Sequence, residues 1–271
     1  MLYWRRPAAQ GGDSPRIRPL YLTQRTSSRP QISREGQYMP PKPSSIIEDY
    51  LMEIYDMTRA DRPVIAARLT EKMSVSAPTV WNTVHRMQRD GLVEIDSAKE
   101  ITLSPAGLEA AESIKRRHLL TERLLVDILG LDWADAHEEA HLIEHTITPR
   151  VEARIMAVLG NPTTCPHGNP FPGVDPATRP TTRPLATAQA GDERTIDGIN
   201  EPAEEDHDLM TFYQRNGFVP GARLKVLDVA AYNSTITVEI GGRDVTLGMP
   251  AAENLRIVVE EPAIGRAALA G

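Results

Sequence analysis

The sequence has few of the features that mark several common protein classes. A single cysteine, Cys165, in 271 residues excludes a framework of intrachain disulfides and suits a reducing compartment. No apolar run approaches the roughly 20 residues that span a bilayer. The N-terminal MLYWRRPAAQ contains arginines but lacks the apolar segment of a secretory signal. We therefore expect a cytoplasmic protein that does not enter a membrane.

Basic and acidic residues are unevenly distributed along the chain. Residues 1–43 contain eight basic and two acidic side chains, a net charge of +6, although the whole chain carries −7. The strongly acidic remainder disfavours constitutive, nonspecific binding to nucleic acid, but permits DNA binding that a cation first enables. We predict that 1–43 is a disordered basic tail. An alternative translation start at Met39 is left open.

The hydrophobic pattern after this tail predicts a multidomain α+β protein. In 44–107, an apolar helix is followed by a helix-turn-helix pattern, in which Ser76 caps the second helix and Gly91 ends it. Two short alternating strands then form a wing. A helical domain is predicted over 108–173, with long helices at Pro105–Leu131 and Ala134–Leu159. A linker over 174–183 then leads to a small β-barrel over 184–262, which includes one helix at 203–217. The chain ends in a tail over 263–271.

Two helical segments carry residues that typically bind metals. In AHEEAHLIEH, a helix places His137, His141, Glu144 and His145 on one face, because residues three and four apart are neighbours. In RRHLLTERLL, His118 and Glu122 form an i, i+4 pair. Imidazole nitrogens and carboxylate oxygens that converge in this way are typical ligands of divalent first-row metals. A metal site close to a helix-turn-helix suggests a switch for DNA binding.

Three other interpretations compete with this one. The segment from His137 to His141 matches the H-E-x-x-H motif of zinc hydrolases, with Glu138 as the residue that activates water. Glu144 and His145 crowd the same face, however, and no substrate-binding unit is evident, so we predict that the protein is not an enzyme. The histidines could also be solvated side chains on a charged face. Finally, the chain could be an adaptor whose barrel binds a peptide.

The start of the second helix of the helix-turn-helix is the predicted base-reading surface. Ser76, Pro78, Thr79 and Asn82 lie there, where an asparagine can pair with adenine and Pro or Thr can touch a thymine methyl. Simple helix capping is the alternative role for Ser76 and Thr79. The side chains predicted to contact phosphates are Arg86, Arg89, Arg68 and Lys72. Trp81 and Val84 are predicted to pack in the interior.

Several segments resemble the diphtheria-toxin-repressor and manganese-transport-regulator family. They are IEDYLMEIY, SAPTVWNTVHRMQRDGLV, RRHLLTERLL, AHEEAHLIEH, PHGNPFPG, NGFVPGARLKVLDVA and GGRDVTLG, in the family's order, over about 44–262. The resemblance implies a metal-activated transcriptional repressor that forms a homodimer on double-stranded operator DNA. It also implies that the C-terminal barrel is SH3-like, as in the longer members.

The resemblance further implies two metal sites in each subunit. The controlling site would consist of Asp49, His141, Glu144 and His145, and the ancillary site of His118, Glu122 and His137. In barrel-containing members, acidic or amide side chains near the helix of the barrel complete the ancillary site. Here the candidates are Glu205, Asp206 and Asp208, among which the sequence does not decide.

The controlling site combines features of two branches of the family. Iron-type members have methionine in place of Asp49 and cysteine in place of His141, whereas manganese-type members share the aspartate but have glutamates in place of Met52 and His141. Hard oxygen ligands favour Mn²⁺, which we expect as the activator of a repressor of metal-uptake genes. Fe²⁺ is the alternative, because His141 favours it slightly. Cys165 matches no controlling ligand and is interpreted as structural.

Overall fold

The computed structural model describes residues 31–32, 38–39 and 43–260. The chain divides into two compact units, Met1–Lys42 and Pro43–Gly271. In the first unit, strands β1 (Gln31–Ile32) and β2 (Tyr38–Met39) form an antiparallel pair. The disorder predicted for 1–43 and the tail predicted for 263–271 concern residues that lie almost entirely outside the described ranges.

The second unit begins with a winged helix-turn-helix. Its elements are α1 (Ser45–Arg59), α2 (Ala66–Lys72), α3 (Ala77–Arg89), β3 (Val93–Ile95) and β4 (Ile101–Leu103). The helix α3 begins where the sequence predicts, since the Ser76 hydroxyl accepts a hydrogen bond from the Thr79 N–H at 3.4 Å. It ends before Gly91, whose φ of +73° suits a helix C-terminus. Apolar side chains of all three helices and the wing form one core.

The helical region is more broken than the sequence suggests. It consists of α4 (Pro105–Arg123), α5 (Ala136–Ile143) and α6 (Pro149–Val158). A π-helical turn continues α4 over Leu124–Ile128, and a 3₁₀ turn follows α5 over Glu144–Thr146. The prediction of one helix over Ala134–Leu159 is wrong. Pro149 disfavours helical backbone at Thr148, which instead caps α6.

The last region is a six-stranded antiparallel sheet in the order β5-β10-β6-β7-β8-β9. Its strands are β5 (Thr181–Pro184), β6 (Glu193–Ile199), β7 (Arg223–Ala230), β8 (Thr235–Ile240), β9 (Arg243–Gly248) and β10 (Leu255–Glu260). Its helices are α7 (Glu201–Glu204), α8 (His207–Asn216) and α9 (Met249–Glu253). This agrees with the fold class expected from the sequence.

Two predictions for this region need correction. The interval 174–183 is not a plain linker, because β5 begins inside it and pairs with β10. The helix predicted over 203–217 is two helices, because the carboxylate of Asp206 accepts a hydrogen bond from the Leu209 N–H at 3.0 Å and starts α8. Across the described residues, no helix combines the length and the apolarity needed to cross a bilayer.

Candidate metal centre and DNA-binding face

The first group of ligand-type side chains joins the DNA-binding region to the helical region. Asp49 projects from α1, whereas Glu144 and His145 belong to the turn after α5. The His145 Nε2 lies 2.9 Å from Asp49 Oδ1 and 3.5 Å from Glu144 Oε1. Burial raises the pKa of Asp49, while the imidazole of His145 acts in the opposite direction. We call Asp49, Glu144 and His145 the boundary group.

Glu48, which sequence reasoning missed, holds the boundary group in place. Its Oε2 accepts a hydrogen bond from His145 Nδ1 at 2.9 Å, and its Oε1 accepts one from Arg117 at 2.8 Å. A carboxylate that binds one imidazole nitrogen orients the other nitrogen toward a metal. The signal in the sequence was an acidic residue next to Asp49 on the apolar stripe of the first helix.

The second group is buried and draws on three helices from two regions of the protein. His118 and Glu122 come from α4, His137 from α5 and Glu204 from α7. Glu122 Oε1 lies 3.0 Å from both His118 Nε2 and His137 Nδ1. Glu204 Oε2 lies 3.2 Å from His137 Nδ1. The C-terminal region therefore contributes a carboxylate to this group.

Cys165 and His167, on the loop after α6, extend the buried group. The His167 Nε2 donates a hydrogen bond to the Trp133 carbonyl at 3.0 Å, so its Nδ1 faces Glu204 Oε1 at 3.4 Å and Glu122 Oε2 at 3.5 Å. One sulfur, nitrogen or oxygen atom each from Glu122, Cys165 and His167 lies within 4.8 Å of the others. The sequence interpretation of Cys165 as merely structural overlooked this proximity.

The conformation of this loop depends on a close backbone contact. Gly168 has a φ of +90°, and a Cβ atom there would lie 2.3 Å from the Asp197 carbonyl oxygen. Only glycine lets the loop approach β6 this closely. The adjacent Asn169 donates a hydrogen bond to Glu204 and accepts one from Arg256 at 2.9 Å. We call His118, Glu122, His137, Cys165, His167 and Glu204 the inner cluster.

The charges of the inner cluster compensate each other in the absence of a metal. Burial disfavours the imidazolium of His118, but the carboxylates of Glu122 and Glu144 outweigh it and raise its pKa to about 10. Burial also disfavours ionised Glu144, but the neighbouring imidazoles of His118 and His141 lower its pKa to about 2. Burial and neighbouring carboxylates raise the pKa of Cys165 to about 12, so its thiol is protonated.

Both groups fit a divalent cation. In these two groups, three buried carboxylate oxygens, Glu122 Oε2, Glu144 Oε1 and Glu204 Oε2, have no hydrogen-bond partner among the described residues. A buried, ionised oxygen that accepts no hydrogen bond is costly, and a cation would offset that cost. Imidazole and carboxylate donors suit first-row divalent ions, and the thiol adds a softer donor to the inner cluster alone.

Not every predicted ligand lies where the sequence suggested. The His141 Nδ1 is 3.4 Å from Glu144 Oε1, but its ring also lies beside His118 and His137, with centroids 4.5 and 4.8 Å away. His141 thus stands between the two groups, because α5 ends before Glu144 and the turn rotates the later residues away. Glu138 is exposed, whereas His137 is buried, which does not suit a hydrolase base beside a metal.

The three barrel-side candidates do not reach the inner cluster. Glu205 forms an ion pair with Lys72, Asp206 caps α8, and Asp208 lies on the exposed first turn of α8. Glu204, one residue before Glu205, reaches the inner cluster instead, with its Oε2 3.2 Å from His137 Nδ1. The sequence could not distinguish these neighbours, because the direction of each side chain depends on where the short helix α7 ends.

The predicted DNA-reading side chains form an exposed face of α3. Ser76, Pro78, Thr79 and Asn82 are exposed, as are the three arginines at 68, 86 and 89. The hydroxyls of Ser76 and Thr79 lie 2.8 Å apart, which fits the capping role as well. Val84 is buried as predicted, but the prediction for Trp81 is wrong, since its side chain is 44% exposed.

Comparison with known proteins assigns these features to one family. The sequence matches three family models: the iron dependent repressor N-terminal DNA binding domain over 43–101, the iron dependent repressor metal binding and dimerisation domain over 104–173, and the FeoA domain over 183–259. The iron-dependent repressor IdeR of Mycobacterium leprae is 36% identical over 220 residues, which cover 78% of this chain and 95% of the relative. The chain belongs to the diphtheria toxin repressor family.

Two further similarities support this membership. The diphtheria toxin repressor of Corynebacterium diphtheriae is 35% identical over 221 residues, with 78% of this chain and 95% of the relative covered. A solved manganese-dependent transcriptional repressor in complex with manganese superposes with a TM-score of 0.68 at 34% identity, over 78% of this chain and 99% of that one. Members of the diphtheria toxin repressor family are metal-dependent, DNA-binding transcriptional repressors. The family, fold class and general function expected from the sequence are therefore confirmed.

Proposed function

We propose that this member of the family is a cytoplasmic, manganese-activated repressor of metal-uptake genes, and not an enzyme. The observation that carries the choice of metal is the position of Asp49, whose carboxylate lies 2.9 Å from His145 Nε2. Oxygen-rich sites favour Mn²⁺ over ions that prefer nitrogen or sulfur ligands. Fe²⁺ is the second candidate, because His141 adds an imidazole 3.4 Å from Glu144.

Two cations are proposed for each subunit. The boundary group together with His141 would hold the controlling ion. The ancillary ion would bind in the inner cluster, to His118, Glu122, His137 and Glu204. A bound cation supplies positive charge between carboxylates that otherwise repel each other. Asp49 then fixes α1, and with it the helix-turn-helix, against the turn at Glu144–Thr146, since Asp49 is the only boundary-group residue from the DNA-binding region.

The proposed active form is a homodimer on a palindromic operator. Exposed apolar side chains at Ile128, Leu129 and Leu142 give the helical region a surface that a second copy can bury. A twofold dimer places two α3 helices in successive major grooves, about one helical turn apart. Fixing α1 relative to the helical region that forms the dimer sets the spacing between the two α3 helices, and thereby raises DNA affinity.

The test is a fluorescence anisotropy titration of a duplex selected in vitro by the protein, at fixed salt. The metal-free protein is compared with protein in Mn²⁺, anaerobic Fe²⁺, Co²⁺ and Zn²⁺. We expect the largest gain in affinity with Mn²⁺, about 5- to 150-fold, and its loss in Asp49→Ala. The exposed Glu138→Gln is the control, and should behave as wild type.

Each outcome has a definite meaning. A larger gain with Fe²⁺ would assign the protein to the iron-responsive members of the family. Equal affinity with and without metal would contradict the proposed switch. Linkage supplies a second check, because operator DNA must tighten metal binding by the same factor by which metal tightens DNA binding.

A further inference from the structure

Trp81 occupies the outward face of the predicted recognition helix. The core side of α3 consists of Val80, Thr83, Val84 and Met87, and Trp81 is not part of that core. Its side chain is 44% exposed and directly precedes Asn82. A large aromatic side chain on the face that meets DNA offers an apolar contact surface that no hydrogen-bonding residue provides.

Two neighbours hold the indole of Trp81 in place. The His85 ring, one helical turn later, packs edge-on against it, with centroids 4.1 Å apart. The ammonium of Lys99 lies 5.5 Å from the centre of the indole ring. Because these contacts already order the side chain, little conformational entropy remains to be lost when it contacts DNA.

Lys99 belongs to the turn of the wing, so the indole links the wing to the recognition helix. The turn is closed by a hydrogen bond of 2.8 Å from the Glu100 N–H to the Asp96 carboxylate, and Lys99 adopts a φ of +65° within it. Among the described residues Lys99 forms no ion pair with these acidic neighbours. Its ammonium group lies instead over the indole ring of Trp81.

We propose that Trp81 is a specificity-determining residue that contacts the C5 methyl group of a thymine in the major groove, while Lys99 contacts a nearby phosphate. Of the four bases only thymine presents a methyl group there, and an apolar surface recognises it. A lysine on a phosphate adds affinity without sequence information. This inference rests on DNA binding through α3, and adds a reader to those expected at Ser76, Pro78, Thr79 and Asn82.

The test uses a duplex that the wild-type protein selects from a random pool in Mn²⁺. Each thymine is replaced in turn by deoxyuridine, which removes only the methyl group, and affinities are measured by anisotropy. At one thymine position in each half-site, deoxyuridine should lower the DNA affinity of the wild type about fourfold, the effect of one buried methyl group. Trp81→Ala should no longer distinguish thymine from deoxyuridine at that position. Trp81→Ala should itself bind the thymine duplex on the order of 10-fold more weakly, and Trp81→Phe should retain part of the discrimination.

The contribution of Lys99 has a different signature. Lys99→Ala should reduce the magnitude of the slope of log affinity against log salt by about 0.9 per protomer, and should leave unchanged which thymine positions respond to deoxyuridine. Lys99→Arg should restore the slope.

The proposal is overturned if Trp81→Ala keeps the full deoxyuridine pattern of the wild type, or binds the duplex as tightly. Thermal unfolding and Mn²⁺ affinity of each variant show whether the fold and the metal sites are intact. The wild-type titration with and without Mn²⁺ tests the proposed function separately from the role of Trp81.

Discussion

The inner cluster and the boundary group both contain carboxylates and imidazoles, but in different surroundings. In the inner cluster, the side chains of Glu122 and Glu204 are at most 1% exposed and lie among imidazoles whose pKa is raised by these carboxylates. In the boundary group, the side chain of Asp49 is 37% exposed and that of His145 is 18% exposed. The inner cluster is thus assembled within the protein interior, whereas the boundary group is partly open to solvent, although its Glu144 is buried.

This difference suggests a division of roles. Buried charges that compensate each other hold α4, α5 and α7 together even without a metal. The boundary group depends on one half-exposed carboxylate from α1, which can separate from the turn at little energetic cost. A metal bound in the inner cluster should therefore have its main effect on stability. A metal bound at the boundary group should have its main effect on DNA affinity.

The largest expected effect is on stability. Glu122→Gln should lower the free energy of unfolding of the metal-free protein by about 3 to 5 kcal/mol, because it leaves buried imidazolium groups without their carboxylate. Asp49→Asn should change it by less than about 0.5 kcal/mol. Urea unfolding in the presence of a chelator measures both, and the exposed Glu139→Gln serves as control. Equal losses of unfolding free energy in Glu122→Gln and Asp49→Asn would contradict the proposed difference between the two groups.

The second prediction separates two adjacent glutamates. Glu204→Gln should weaken binding of the ancillary ion on the order of 10- to 100-fold, because it removes a carboxylate 3.2 Å from His137. Glu205→Gln, one residue later, should leave metal affinity unchanged. Competition with a chelating dye measures both affinities. A loss in Glu205→Gln with none in Glu204→Gln would restore the expectation drawn from the sequence.

The third prediction concerns pH. Protonated His118, with a pKa raised from 6.5 to about 10, stabilises the metal-free protein fully below pH 6.5 and progressively less toward pH 10. Ionised Glu144, with a pKa lowered from 4.5 to about 2, stabilises it above pH 4.5 and less as the pH falls toward 2. Because a metal binds the neutral imidazole, the stabilisation that Mn²⁺ confers should increase from pH 6.5 to 8.5.

Thermal unfolding under anaerobic conditions, with and without Mn²⁺, measures this dependence. The exposed His207, which pairs with Asp135 and belongs to neither group, provides the control His207→Gln, and this variant should keep the wild-type pH dependence. An increase in melting temperature that is the same at pH 6.5 and 8.5 would exclude proton release from buried imidazoles.

The smallest expected effect is on an ion pair between regions. Lys72, predicted to contact phosphate, is bound to Glu205 at the end of α7. Glu205→Gln should release it and raise DNA affinity by roughly two- to fivefold at low salt, the range expected for an exposed pair. Anisotropy measures this gain, which should vanish when Lys72→Ala is added. Unchanged affinity in Glu205→Gln would mean that Lys72 does not reach the DNA.

Sequence reasoning succeeded where the pattern is local. Ser76 and Gly91 mark the ends of α3, and the i, i+4 spacing of His118 and Glu122 brings their side chains to 3.0 Å. It failed where a helix ends unexpectedly. Beyond the break after Ile143 helical spacing no longer applies, and His141 contacts His118 and His137 as well as Glu144. Trp81 is exposed although Val80 and Val84 on the same helix are buried.

The sequence by itself determined the order of the elements, the types of side chain available for a metal, and the family. Those properties follow from spacing and composition along the chain. Only the tertiary structure decided that Glu48 orients His145, that His167 reaches Glu122, and that Glu204 is the contributing carboxylate. These contacts join residues 45 to 97 positions apart, so they depend on how the regions pack and on the direction in which each short turn points its side chains.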